Sequence, residues 1–389
     1  MKKRFHSATD QEIRLGKTTD VYFERTKRIL KAKKASRRVK AEFSLKGLPH
    51  GYTWGIFAGL EEALILLEGV PVTVKALDEG TVVRANEPVM TIEGDYADFA
   101  VFETPLLGFI CQASGVATKA ARLRLAARDK PLISFGARRM HPAISSMIER
   151  NAYIGGCDGV ATLKAADLLG IEPSGTIPHA LVIVMGGIDE AIQAFDSVVD
   201  RKVNRIALVD TFGDEKFEAL AACEALGERL YAVRLDTPRS RRGSMRDIVR
   251  EVRWELDLRG HTGVRIMVSG GLDESELVEL RDLVDGFGVG TSLSNAPVLD
   301  FAMDIVEVDG KPIAKRGKMS GEKVLLRCNR CHRDLVVPSK GRLTRKCQCG
   351  GMFRNLTRAF LKQGKVVRKL EPPKSVRRRV LKSLEHLGL

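Results

Sequence analysis

The residues with the most chemistry in this chain stand at the ends of short apolar runs. S-F-G-A-R-R-M-H-P, at 134–142, closes the run 131–135 with Gly136, Arg138, Arg139 and His141. L-V-D-T ends in Asp210 and Thr211, and R-L-D-T-P carries Arg234 and Asp236. Ser269, Gly270 and Gly271 follow V-R-I-M-V, and Gly290 and Thr291 follow F-G-V. Arginine presents a planar fork to a carboxylate or phosphate, so Arg138 and Arg139 indicate an anionic ligand. Phe135 beside them can stack on a flat ring; the plainer alternative makes it core and pairs the arginines with the helix bearing Glu149. Asp210 and Asp236 suit sugar hydroxyls or Mg²⁺, against helix N-capping. Glycine and small hydroxyls at the last two runs suit a phosphate, because backbone N–H groups can face it closely. No G-x-x-x-x-G-K-[ST] loop is present, which excludes a Walker site. His179, in S-G-T-I-P-H-A-L-V-I-V, follows a shaped loop and can accept a phosphoryl group, although a lone histidine beside an apolar run is more often structural.

Four of the seven cysteines, Cys328, Cys331, Cys347 and Cys349, form C-N-R-C and C-Q-C-G-G. Two such knuckles suit one tetrahedral Zn²⁺ in a closed, structural site, with iron as the rival metal. Cys111, Cys157 and Cys223 stand alone in apolar surroundings and read as buried thiols.

These residues need a scaffold. Apolar runs recur at 131–135, 159–163, 180–185, 205–209, 230–235, 264–268 and 284–289, mostly separated by helix-like stretches. Such βα units predict a parallel sheet. A doubly wound sheet would gather its polar strand ends at one switch point; polar residues after nearly every run favour an α/β barrel with one shared site. Upstream, residues 20–40 predict a basic helix and 56–68 an apolar one. V-P-V-T-V-K-A-L, G-T-V-V-R-A and V-M-T-I-E-G-D then predict a small antiparallel unit, followed by a helix from about 102.

The totals set outer bounds. The chain has 389 residues and a net charge of +15. From Lys323 onward there are 19 Lys+Arg against 3 Asp+Glu, so the body is near neutral and the tail carries the whole excess. No run of 18 apolar residues predicts a membrane span. The N-terminus lacks the apolar stretch of a secretory signal, which points to the cytoplasm.

Taken in order, T-T-D-V-Y (18–22), E-T-P-L-L (103–107), F-G-A-R-R (135–139), G-G-C-D-G-V-A-T (155–162), G-T-I-P-H-A (175–180), L-V-D-T (208–211), R-L-D-T-P (234–238) and S-G-G-L (269–272) resemble the nicotinate phosphoribosyltransferases and their quinolinate and nicotinamide relatives. The resemblance runs from about residue 15 to about 325. It implies an open α/β barrel of six to seven parallel strands beside an N-terminal α/β sandwich-like domain. The implied reaction moves ribose 5-phosphate from PRPP to the nitrogen of nicotinate, giving nicotinate mononucleotide and pyrophosphate in NAD salvage. It is coupled to ATP hydrolysis, with ATP a co-substrate and His179 the phosphorylated residue. Arg138 would hold the carboxylate, helped by Arg139. Phe135 would stack on one pyridine face and Tyr22, contributed by a partner subunit, on the other, so a dimer or multiple of dimers or trimers is implied. Asp210 and Asp236 would meet ribose hydroxyls or Mg²⁺, with Arg234 near the phosphates. Ser269, Gly270, Gly271, Gly290 and Thr291 would cradle the 5-phosphate, and Lys315 and Lys318 resemble the family's phosphate-binding lysines. Two departures bear on this. Asp158 stands where nicotinamide-using relatives carry an acid that meets the amide, and would repel a carboxylate. The chain is also compact for the ATP-coupled members, which allows facultative coupling.

The expected organisation is an N-terminal α+β domain over 1–115, completed by about 292–326, a barrel domain over 116–291, and a basic Cys₄ zinc domain over 327–389. The tail's charge admits nucleic-acid binding. Only Phe353 and Phe360 offer aromatic rings there, so base stacking is disfavoured and a structural role preferred. Quinolinate transfer is the nearest rival reaction; it needs charge for a second carboxylate, from Arg139 or His141.

Overall fold

The structure, a computed structural model, describes residues 5–241, 243–341 and 345–389. It divides into two units. One comprises residues up to 118 together with 297–383; the other comprises 119–296 and 384–389.

The second unit is built on six parallel strands: Leu132–Ser134, Gly159–Val160, Ile206–Leu208, Ala232–Leu235, Arg265–Ser269 and Gly286–Val289, here the first to sixth barrel strands. Across the sheet they run second, first, sixth, fifth, fourth, third, with every pair parallel. The second and third strands follow each other in sequence yet form the two edges, so the barrel is open between them. The strands are short and almost wholly apolar, as expected where helices cover a parallel sheet. Small polar residues then start the helices. Asp214 accepts from Lys216 N–H ahead of Glu215–Leu226, Ser244 from Asp247 N–H ahead of Met245–Leu258, and Asp273 and Glu276 form a capping box ahead of Glu274–Leu280.

One expected strand is a helix. The run 180–185 lies in His179–Met185, which Gly186 closes at φ 101°. A short run rich in Val and Ile does not distinguish strand from buried helix. Here the chain between the two sheet edges holds only helices, Leu163–Leu169, His179–Met185 and Ile188–Val198.

The first unit carries a seven-stranded sheet in the order Lys311–Pro312, Asp300–Val308, Arg38–Gly47, Pro88–Asp95, Thr73–Ala76, Arg358–Lys362, Lys365–Val366, every pair antiparallel. The basic helix expected over 20–40 stops at Ala32. Beyond it Val39, Ala41, Phe43 and Leu45 alternate with polar residues and are buried, a period of two that makes a strand. The tail contributes the strand Arg358–Lys362 to this same sheet, against Thr73–Ala76. A separate three-stranded antiparallel sheet, Asp334–Pro338, Lys323–Cys328, Phe353–Asn355, carries the cysteine knuckles. The stretch Tyr96–Ala127 is apolar and long enough by composition to cross a membrane, but 61% of its most apolar window is buried inside the protein, as in a core helix.

Candidate active site

In the second unit His179, Asp210, Arg234, Asp236 and Ser269 meet at the C-terminal ends of the third, fourth and fifth barrel strands. His179 opens its helix, and its Nδ1 lies 3.0 Å from the Thr211 hydroxyl. Its Nε2 faces two carboxylates, 3.8 Å from Asp210 Oδ1 and 3.7 Å from Asp236 Oδ2. The Asp210 side chain is almost fully buried, and its Oδ2 accepts from Asp236 N–H at 2.7 Å and from the Thr237 hydroxyl at 3.1 Å. Its Oδ1 is buried without a hydrogen-bond partner among the described residues. Burial raises the Asp210 pKa, against the opposing pull of the Asp236 N–H and His179.

Arg234 donates from Nη1 to Ser269 Oγ at 3.0 Å and from Nη2 to the Ile177 carbonyl at 3.3 Å, and its buried Nε has no partner among the described residues. Burial depresses its pKa, opposed first by Asp236. The cluster thus holds an unpaired carboxylate oxygen and an unpaired guanidinium N–H. Buried polar atoms are nearly always paired, so the arrangement is that of a site completed by a ligand.

Around it, the Phe135 ring lies 5.9 Å from the Arg234 guanidinium carbon. The ring also lies across Gly288, where a Cβ would come within 2.3 Å of it. Gly288 in the sixth strand is therefore what admits the phenylalanine, a requirement the sequence reading missed. Arg138 and Arg139 follow in a single 3-10 turn, exposed and without an acidic partner among the described residues. Glu149 does not pair with them. It is fully buried and accepts the backbone N–H groups of Ala161 and Thr162, both at 2.9 Å. Glu218 does the same after the third strand, accepting from Thr211 at 3.0 Å and from Phe212 and Gly213 at 2.7 Å. The two edge strands, each lacking one neighbour, thus have their following loops held by buried carboxylates. Gly270 and Gly271 lie at φ 87° and 67°, and Gly290 precedes the short helix Thr291–Ser294. Below Phe135 the inner face of the half-barrel encloses a cavity of about 540 Å³, walled by Ile133, Phe135, Ile206, Tyr231 and Met267.

Asp158 is not brought to this cluster. It precedes the second strand rather than following it, and its carboxylate bonds the Arg124 guanidinium and, at 2.9 Å, Leu132 N–H. Both tie it to the end of the sheet where the strands begin, away from the His179 cluster. Ser269 is also placed otherwise than expected: its side chain is buried and its hydroxyl is taken by Asp236 and Arg234.

Three of the expected site residues belong to the first unit. Tyr22 is exposed on the helix Val21–Ala32, with its hydroxyl 3.4 Å from Asp20. Lys315 and Lys318 lie 2.6 and 3.8 Å from the Asp304 carboxylate, and Lys46 joins them at 3.1 Å. Three ammoniums on one carboxylate leave net positive charge for an anion. Lys46 carried no signal in the sequence, because only the pairing of Arg38–Gly47 with Asp300–Val308 brings it there. Nearby, Glu103 is pushed up to about 7, mainly by burial and then by Asp304.

The sulfurs of Cys328, Cys331, Cys347 and Cys349 all lie within 4.8 Å of one another, with Cys328–Cys349 at 3.4 Å and Cys331–Cys347 at 3.7 Å. A tetrahedral Zn²⁺ with Zn–S of about 2.3 Å sets its sulfurs about 3.8 Å apart. The four cysteines can therefore hold a metal such as zinc.

An open parallel barrel whose strand ends gather a histidine, two aspartates and arginines is an enzyme scaffold for anionic substrates. Its family follows from comparison. Residues 20–114 match the quinolinate phosphoribosyl transferase N-terminal domain and residues 116–304 the C-terminal domain. A nicotinate phosphoribosyltransferase of Mycobacterium tuberculosis is 33% identical, over 76% of this chain and 74% of its own. The nicotinate-nucleotide pyrophosphorylase structure from Pyrococcus furiosus is 50% identical, covers both chains fully and superposes with a TM-score of 0.97. Human nicotinic acid phosphoribosyltransferase, 22% identical, shares the fold over 95% of this chain and 94% of its own, with a TM-score of 0.79. The chain belongs to the quinolinate and nicotinate phosphoribosyltransferase family, and it is an enzyme of the nicotinate phosphoribosyltransferase type.

Proposed function

We propose that the protein transfers ribose 5-phosphate from PRPP to the ring nitrogen of nicotinate, with ATP as co-substrate and His179 as the phosphoryl acceptor. The observation that carries this reading is the His179 cluster, in which Asp210 Oδ1 and Arg234 Nε are buried and have no hydrogen-bond partner among the described residues, beside two exposed arginines with no acidic partner among them. In the transfer, the pyridine nitrogen forms a bond to the anomeric carbon while the bond from that carbon to pyrophosphate breaks, its electron pair leaving with the pyrophosphate. Positive charge develops at the anomeric carbon, where the Asp210 and Asp236 carboxylates stabilise it. The same carboxylates would hold Mg²⁺, which when bound takes charge on the leaving pyrophosphate. Arg138 grips the carboxylate of nicotinate, Arg139 reinforces the local potential and Phe135 stacks on the ring. Gly270, Gly271, Gly290 and Thr291 offer backbone and hydroxyl groups to the 5-phosphate. The Lys46, Lys315 and Lys318 group attracts a further phosphate, and Tyr22 serves the second face of the pyridine in an oligomer.

Quinolinate is the weaker alternative. His141 accepts from Ala143 N–H through Nδ1 as a turn cap, which leaves Arg139 as the main source of charge for a second carboxylate. With Asp158 tied to Arg124, the objection it raised to nicotinate also falls away. The tail holds structural Zn²⁺ and, with its strand in the antiparallel sheet, serves structure rather than nucleic acid.

The ATP-coupled part is tested by following mononucleotide formation with and without ATP in wild type and His179→Asn. ATP stimulation should be present in the first and absent in the second. Equal stimulation in both would reject the role of His179.

A further inference from the structure

Ser269 ends the fifth barrel strand, beside two glycines of a kind that usually mark phosphate loops. Its surroundings point elsewhere. The side chain is buried, at 3% exposure. A serine hydroxyl has one proton to donate, and here it goes to Asp236 Oδ1 at 2.8 Å, because a carboxylate only accepts. The oxygen in turn accepts from Arg234 Nη1 at 3.0 Å. The adjoining residue makes room for the same carboxylate: a Cβ at Gly270 would stand 2.9 Å from Asp236 Oδ1. With Oδ1 fixed in this way, Asp236 Oδ2 is turned toward His179 Nε2 and Arg234 Nη1, both at 3.7 Å.

We infer that Ser269 is a positioning residue which, through one hydroxyl, sets Asp236 and Arg234 in register, and that it is not a ligand of the ribose phosphate. The inference rests on the reading that Asp236 and Arg234 serve the transfer. It assigns the phosphate loop's binding capacity to the backbone at Gly270 and Gly271. The serine couples two groups of opposite charge that are too far apart to hydrogen-bond each other. Without it, Asp236 has lost its side-chain donor and Arg234 an acceptor, and both are free to turn.

The two roles separate in steady-state kinetics with PRPP as the varied substrate. A positioning role predicts that Ser269→Ala lowers kcat about tenfold, as expected for losing one hydrogen bond to a charged group, and leaves the PRPP KM within about threefold. It also predicts that adding Ser269→Ala to Asp236→Asn costs clearly less than adding it to the wild type, since the charged carboxylate, one of the two groups positioned, is already gone and only the share acting through Arg234 remains. A fall in the folded fraction would lower the rate equally in both backgrounds, so this cycle distinguishes positioning from damage. A PRPP KM raised about tenfold at preserved kcat, an equal loss in the Asp236→Asn background, or no change in either parameter would each overturn the inference. Absence of turnover in the wild type would overturn the reading beneath it as well.

Discussion

His179 Nε2 and Asp210 Oδ1 face each other at 3.8 Å, and that aspartate oxygen, buried, has no hydrogen-bond partner among the described residues. The pair is too far apart to bond and close enough to attract, so the space about it suits a ligand atom. Asp210→Asn should keep the fold, because the amide oxygen can still accept from Asp236 N–H, while removing the charge. A loss of 10²- to 10³-fold in kcat is expected, the usual scale for deleting one preorganised electrostatic group. Retention of more than a tenth of the activity would contradict the assignment.

The pH dependence follows from the same residue. Burial raises the Asp210 pKa, so its charged form is reached at a higher pH than for an ordinary aspartate. If the ionised carboxylate does the work, the acid limb of the kcat/KM profile lies above the usual aspartate range. That limb should disappear in Asp210→Asn, leaving a residual rate flat on the acid side. An unchanged limb in the variant would assign it to another group.

Arg138 is exposed and has no acidic partner among the described residues, so its charge is available to a substrate. Arg138→Gln should raise the KM for nicotinate by about 10- to 100-fold, the value of a charge-assisted bond of roughly 1.5–3 kcal/mol. The PRPP KM should move far less. A matching rise for both substrates would show a general loss of potential rather than recognition of the carboxylate.

The metal site should report on stability. Metal analysis is expected to give one zinc per chain, and Cys347→Ala should abolish it, since a closed four-thiolate site loses its geometry with one ligand. Loss of metal should lower the melting temperature and expose 323–355 to proteolysis first, because two knuckles and three short strands hold that segment. A metal-free variant that melts like the wild type would remove the structural role.

Glu87 offers a stability test in the first unit. Burial, and then the Asp334 carboxylate, push it up to about 7. Its folded pKa thus exceeds its unfolded one, so the folded state binds the proton more tightly. Stability is then lost as pH rises from the ordinary glutamate range through about 7. Glu87→Gln keeps an acceptor for Arg84 N–H and removes the ionisation. Its melting temperature should match the wild type near pH 5 and exceed it at pH 8. A variant equally destabilised at both pH values would show that packing, not ionisation, governs the site.

The strand ends are legible because an acidic or glycine residue directly follows an apolar run, as with Asp210, Asp236 and Gly290. Asp158 misled because it also flanks such a run, but on the side where the strand begins; spacing carries no polarity until the topology is known. The run 180–185 reads as a strand because Val and Ile favour strands, yet the open sheet has no place for one between its edges. Glu149 and Glu218 were hidden for a different reason. Each sits in an ordinary helical stretch, and only burial against a particular loop distinguishes Glu218 from a solvent-facing glutamate. Gly288 is legible only once Phe135 is seen lying across it.

The central claim is the transfer itself, and product formation tests it most directly. Purified protein with PRPP and Mg²⁺ would be offered nicotinate, quinolinate or nicotinamide, each with and without ATP, and the mononucleotide quantified. The account predicts nicotinate mononucleotide as the dominant product, formed faster with ATP. Preferred use of quinolinate with release of CO₂, or of nicotinamide, would contradict the role given to Arg138, and no product from any of the three would contradict the assignment of the His179 cluster to this chemistry.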